Sequence, residues 1–296
     1  MVFTPLSAPL ATAIAHLSPE DHAKIVGHIG PIAQCDGNDE GTSVLAFRLN
    51  HEWVLRLART KAAPLARETR LLRAIGSSLP TEMRNLLPIP DVAGDGWTLH
   101  RHLPGLPTSR ADLQALPASQ RGRLLAEMGN LLHTLHTLPL PADLPAADTP
   151  HTPDQWNALR QRAETQLFPL LSGKLADDLR GALSALDTAS LRPARTGFIH
   201  DDLHPAHILH DPASGRLTGL LDFGRSGRGD PAVDIAGLLY NWGNGPLTEL
   251  AYPGLADHLP QARALARTYE VQWALEGIKR QDMRWLLYAL GAAKDF

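Results

Sequence analysis

The alternation of apolar and polar residues changes character along this chain. Residues 42–49 (TSVLAFRL) and 52–58 (EWVLRLA) are rich in β-formers and meet at Asn50-His51. That pattern predicts a hairpin, although the turn pair is not an ideal one. Before them, 18–28 (SPEDHAKIVGH) carries a helix start, with Ser18 as N-cap, Pro19 in the first helical position and acids in the first turn. A Gly- and Asp-rich stretch, 36–41, precedes the first of these strands. In 64–79, Leu65, Leu71, Leu72 and Ile75 fall on one helical face, and 97–103 (WTLHRHL) reads as another strand. Beyond Gly105 the period becomes helical. Residues 118–138 form a strong amphipathic helix, 139–153 a Pro-rich loop, and 154–187 a second helical region with a break near Pro169 and Gly173. Residues 197–223 return to short strands, and from Pro231 onward the pattern is mostly helical. The expected organisation is α+β: a small β-rich lobe over 1–103, joined near residues 102–107 to a larger, mainly helical lobe over 104–296.

Composition narrows the function classes. A formal net charge of −3 argues against a nucleic-acid binder, which needs a basic excess or patch. The single cysteine, Cys35, excludes an internal disulfide and fits a reducing compartment, where it reads as a small buried residue. No run approaches the ~20 apolar residues of a membrane span. The first residues lack a basic segment and are broken by prolines, so a cytoplasmic location is expected.

The chemistry is concentrated in residues 198–238. Phosphoryl transfer needs a carboxylate to orient or deprotonate the attacking hydroxyl, oxygen or nitrogen ligands for a divalent cation, and a further cation on the phosphates. His200-Asp201-Asp202, His207 five residues on, and Asp222-Phe223-Gly224 after a hairpin supply the first two in order.

This stretch resembles the H-x-D-x-x-x-x-N and D-F-G elements of protein kinases. It resembles the aminoglycoside phosphotransferase family more closely, in His200-Asp201-Asp202-Leu203-His204-Pro205-Ala206-His207, Leu221-Asp222-Phe223-Gly224 and Gly229-Asp230-Pro231-Ala232-Val233-Asp234. The resemblance implies a protein-kinase-like two-lobed fold and a small-molecule kinase that uses Mg²⁺ and ATP or GTP. It makes Asp202 the catalytic base, or hydroxyl-orienting group, and His207 and Asp222 the metal ligands. His207 departs from the commoner Asn, and hard Mg²⁺ prefers oxygen. Arg56, in WVLRLA, stands where kinases carry the phosphate-binding lysine, and Glu68 where the helix glutamate pairs with it. The strand and connector at Thr98, His100 and His102 correspond to the nucleotide-base site, and the loop 37–43 to the nucleotide-covering turn. Asp234 is implied to tie its helix, started by Asp230 and Pro231, back to the catalytic loop. Asp201 replaces the usual Gly and is expected to be a solvated second carboxylate.

Competing readings are weaker. His200, His204, His207 and His210 are dense, yet no H-E-x-x-H or C-x-x-C pattern accompanies them, so a zinc site is not expected. No P-loop motif is present. A nucleotide-binding pseudokinase would usually have lost Asp202 or Asp222. His133 and His136 read as packed histidines, while Trp242, Tyr269, Trp273, Trp285 and Tyr288 read as core or as lining of the acceptor pocket. Residues 243–296 hold six acids against six Lys and Arg, which gives no push toward a polycationic acceptor. An aminoglycoside- or macrolide-like antibiotic is favoured, and choline, homoserine or fructosamine kinase activity stays open.

Overall fold

The computed structural model describes residues 4–5, 14–15, 17–38, 43–60, 65–150, 152–186, 196–282, 284 and 295. Residues 39–42 of the expected covering turn, together with Trp285 and Tyr288, lie outside these. The chain forms two compact units, 1–108 with 206–224 and 109–205 with 225–296. Unit one therefore extends past residue 103 and includes a later excursion of the chain.

Unit one is built on a six-stranded antiparallel sheet. Its strands are β1 (Thr4–Pro5), β2 (Cys35–Asn38), β3 (Val44–Leu49), β4 (Trp53–Ala58), β5 (Val92–Gly94) and β6 (Trp97–Arg101), ordered β1-β2-β3-β4-β6-β5. The two-residue period of a strand divides its side chains between faces. Phe47, Leu49, Trp53, Leu55, Leu57, Trp97 and Leu99 form one apolar face, closed by Ile25 of helix α1 (Pro19–Ile29). Ser18 caps α1 by accepting from Asp21 N–H at 3.0 Å. The intervening residues Ala46, Val54, Arg56, Thr98 and His100 belong to the other face. Cys35 is half-buried against the apolar face, where burial and the neighbouring Asp36 push its thiol up to about 11.

The β3–β4 turn explains the imperfect turn pair. Asn50 and His51 both have positive φ, 51° and 62°. The Asn50 side chain offsets that strain by accepting from Ala33 N–H (2.9 Å) and donating to the Pro31 carbonyl (2.9 Å). The sequence reading is corrected at β2, taken as loop, because Asp36 pairs across the ladder with Arg48 (2.7 Å).

Helix α2 (Leu65–Gly76) buries the four residues that periodicity assigned to its face. The excursion 206–224 adds a hairpin, Ile208–Asp211 with Arg216–Leu220, which Leu106–Pro107 extends to three strands.

Unit two is mainly helical. It comprises α3 (Arg110–Ala115), α4 (Ala118–Thr137), α5 (Pro153–Arg162), α6 (Gly173–Ala185), α7 (Pro231–Trp242), α8 (Leu255–Ala266) and α9 (Tyr269–Arg280), with a short helical turn at Asn244–Thr248. The expected break after α5 is a π-helical turn, Ala163–Leu167, and a 3₁₀ turn containing Pro169. These turns present Ala163, Leu167 and Phe168 to a core shared with α6 and α9. Helix α7 is apolar almost throughout and nearly all buried, as a central helix must be. Among the described residues no helix is long and apolar enough to cross a membrane.

Close packing in unit two makes one site sensitive. A Cβ on Gly129 of α4 would lie 2.7 Å from the backbone carbonyl of Ala251. Gly129→Ala gains about 1 kcal/mol of helix propensity, but overpacking against immobile backbone costs about 1–3 kcal/mol. Thermal denaturation is expected to show a net fall in Tm of a few degrees.

Candidate active site

In unit one, a cavity of about 410 Å³ opens on the sheet face opposite α1. It is lined by Arg56, His100, His102, His207 and Asp222, five of the seven residues that the sequence assigns to nucleotide and metal in this unit. Glu68 stands behind them on α2. Its Oε1 accepts from Arg56 Nη1 at 2.6 Å and from Phe223 N–H at 3.3 Å. The side chains of Arg56 and Glu68 are 13% and 2% exposed, so this ion pair is buried rather than screened. Thr98 lies opposite Arg56 in the ladder, is buried, and does not line the cavity.

Burial first, then the charge of Arg56, push His100 down to about 3, so its ring is neutral. Its Nδ1 lies 2.8 Å from the Arg101 carbonyl. This contact makes Nδ1 the protonated nitrogen. His102 is also lowered, by burial and then by Arg48.

The hairpin of the excursion explains how two residues fifteen apart come together. His207 and Asp222 flank its open end, where Ile208 pairs with Leu220 and Leu221 N–H donates to the His207 carbonyl (2.8 Å). His207 Nε2 and Asp222 Oδ2 lie 3.8 Å apart, too far for a hydrogen bond and close enough to share a small cation. Asp222 sits at φ 62°, a strained conformation for a non-glycine. The segment after it is held from α2, by Glu68 at Phe223 N–H and by Arg67, which donates to the Gly224 carbonyl at 2.7 Å. Sequence reasoning missed Arg67. Its place directly before Glu68 on a helix was the available signal.

Unit two holds Asp202, half-buried beside a second cavity of about 220 Å³. The lining mixes carboxylates (Asp148, Asp202, Glu276), guanidinium groups (Arg162, Arg225) and amides (Asn241, Gln272) with Tyr269, Trp273 and Leu159. Buried Trp242 belongs to the core instead.

Asp202 sits on a loop fixed from below by Asp234. Asp234 Oδ2 accepts from His200 N–H (2.8 Å) and His136 Nε2–H (2.9 Å), and Oδ1 accepts from Asp201 N–H (2.8 Å). Burial would raise the Asp234 carboxyl, but hydrogen bonding and charge from His136 outweigh it and hold it below the ordinary value. His136 is thus a buried anchor, completed by Tyr252 Oη at 2.9 Å from its Nδ1. Asp202 N–H in turn donates to His200 Nδ1 at 3.2 Å. The expectation of a solvated Asp201 is overturned, because its side chain is 1% exposed and bonded to Thr149 and Arg225. Sequence alone could not show that the 145–149 segment covers it.

Residues 35–271 match the model of the phosphotransferase enzyme family, and the chain belongs to that family. Viomycin phosphotransferase of Streptomyces vinaceus is 32% identical over 135 residues, covering 44% of this chain and 46% of that protein. The chain thus spans about half the length of that relative. Aminoglycoside 3′-phosphotransferase of Streptomyces fradiae is 31% identical over 191 residues, 60% of this chain and 67% of that one. Among solved structures, the GDP complex of aminoglycoside 2′-phosphotransferase-IIIa superposes with a TM-score of 0.74 at 23% identity, covering 92% of this chain and 96% of that one. Macrolide 2′-phosphotransferase type I gives 0.64 at 20% identity, covering 92% and 96%. These likenesses establish the kinase-like fold, a β-sheet N-terminal part followed by a helical C-terminal region.

Proposed function

We propose that the protein is a small-molecule kinase, moving the γ-phosphoryl group of ATP or GTP to a hydroxyl of an antibiotic-like acceptor. The observation that carries this reading is the unit-one cavity, which Arg56, backed by buried Glu68, lines together with His207 and Asp222. Such a set suits a nucleoside triphosphate with its divalent cation. Arg56 binds phosphate oxygens, and neutral His100 with His102 borders the nucleotide base. We assign residues 1–103 to covering the nucleotide and 104–296 to the catalytic loop, the metal site and the acceptor.

His207 and Asp222 offer one imidazole nitrogen and carboxylate oxygen, a donor set that fits a divalent cation, with the oxygen the better partner for Mg²⁺. Bound there, the cation would neutralise charge on the phosphates. Asp202 accepts a hydrogen bond from the acceptor hydroxyl, orients it for in-line attack and takes its proton. The mixed lining around Asp202 supports a bulky hydroxylated acceptor with both polar and apolar faces. The antibiotic names of the relatives point the same way. A nucleoside-triphosphate donor and a lone cysteine suit a cytoplasmic enzyme.

The test is nucleoside-diphosphate release from ATP and GTP with Mg²⁺. It is run across aminoglycosides, viomycin-type peptides, macrolides, choline, homoserine and ketosamines. Acceptor-dependent release on an antibiotic supports the proposal, whereas release only on choline, homoserine or a ketosamine reassigns the enzyme to metabolism. Asp222→Ala is expected to weaken Mg-nucleotide binding by more than about tenfold while sparing metal-free nucleotide. Unchanged calorimetric affinity for the Mg complex would remove Asp222 from the metal site.

A further inference from the structure

Asp201 is an aspartate where the chain needs a left-handed residue, with φ at 64°. That conformation costs a non-glycine residue roughly 1 kcal/mol, though Asp bears it better than most. Its side chain does not recover this by reaching solvent. Both carboxylate oxygens instead turn inward to one neighbour: Oδ2 accepts from Thr149 N–H at 2.7 Å, and Oδ1 accepts from the Thr149 hydroxyl. Arg225 then grips the same residue twice, with Nη2 3.6 Å from Oδ2 and Nε donating to the Asp201 carbonyl at 3.1 Å.

These partners are not a random set. Thr149 and Arg225 both line the unit-two cavity, as does Asp202, the residue that directly follows Asp201. Backbone bonds already fix the neighbouring segment, with Ala147 N–H donating to the Arg228 carbonyl (3.0 Å) and Arg228 N–H to the Pro145 carbonyl (2.8 Å). Thr149 lies where that ladder ends, and Asp201 holds it by both its amide and its hydroxyl. Arg225 also feels the carboxylates of Asp202 and Asp148, after that of Asp201.

We infer that Asp201 is a positioning residue. It clamps the Thr149 wall of the cavity and holds the Arg225 guanidinium in place beside Asp202, where the acceptor hydroxyl would bind. The inference rests on the reading of that cavity as the acceptor site. Burial pushes Asp201 up to about 7 and Asp234 pushes it the same way, while Arg225 and the two Thr149 bonds pull it down. Tyr269 faces the same group. Acid should therefore weaken the hold on Arg225 while leaving Thr149 an acceptor and a donor.

Two substitutions separate the arms. Asp201→Gly accommodates the backbone and removes the carboxylate. Asp201→Asn keeps one acceptor for the Thr149 amide and one donor for its hydroxyl, but offers Arg225 no charge. With an acceptor from the panel above, Asp201→Gly should raise the acceptor KM about tenfold or more at unchanged nucleotide KM. Asp201→Asn should recover the KM and keep a lowered kcat. The wild type should lose kcat as pH falls through about 7, and Asp201→Asn should lack that inflection. An acceptor KM within about twofold of wild type in Asp201→Gly overturns the inference, as does an equal rise in KM in both variants. Hydrogen exchange of the Thr149 amide decides the clamp without any acceptor. Protection lost in Asp201→Gly supports it, and protection retained overturns it. If the wild type phosphorylates nothing, the acceptor-site reading has failed, and the exchange result still stands on its own.

Discussion

Asp202→Asn is expected to slow acceptor-dependent nucleoside-diphosphate release by about 10²–10⁴-fold, the range a positioned general base contributes. The amide keeps the size of the carboxylate and can still accept one hydrogen bond, so binding should survive while proton removal does not. The backbone around it is held by other groups, because Asp234 takes the amides of His200 and Asp201. The loop should therefore keep its shape in the variant. Nucleotide affinity should stay at the wild-type level, since the residues assigned to the nucleotide are carried by unit one. Near-wild-type turnover on a confirmed acceptor would end the assignment of Asp202 as base. A loss confined to KM would make it a binding group instead.

Glu68→Ala is expected to cost about 3–5 kcal/mol of stability, because it leaves a buried guanidinium without its counter-charge. The Arg56 side chain is only 13% exposed, so water cannot replace the lost partner cheaply. The same truncation strips Phe223 N–H of its acceptor and loosens the segment that begins at Asp222. A fall in Tm of about 5–8 °C follows from the usual ratio of stability to melting entropy. Glu68→Gln keeps an acceptor oxygen for both donors and should lie between wild type and Ala. Equal melting of Glu68→Ala and wild type would show that the pair contributes no net stability.

The fold was legible wherever local chemistry decided it. Ser18, Pro19, Asp230 and Pro231 mark helix starts because capping is read within a few residues. The alternation in β3, β4 and β6 gave the strands, and with them the face that carries Arg56 and His100. Strand β2 escaped because Asp, Gly and Asn favour turns. Its pairing with β3 is set by a ladder and by an ion pair twelve residues away. The chemical motif was legible because its spacing is short. Its supports were not: His136 reaches Asp234 across 98 residues, and Thr149 reaches Asp201 across 52. Nor does a sequence show exposure, which is why Asp201 read as solvated.

The threefold acceptance at Asp234 divides the molecule's freedom to change. Both oxygens of that carboxylate accept from N–H groups, so an isosteric amide would set a donor against a donor and should loosen the loop that carries Asp202. Gln272, Trp273 and Glu276, by contrast, line the cavity from α9, and none of them supplies one of the three donors at Asp234. Under the function proposed above, selection for a new acceptor would therefore act on that helix face with the three bonds at Asp234 unchanged. Such a division would let one scaffold take acceptors of different chemistry.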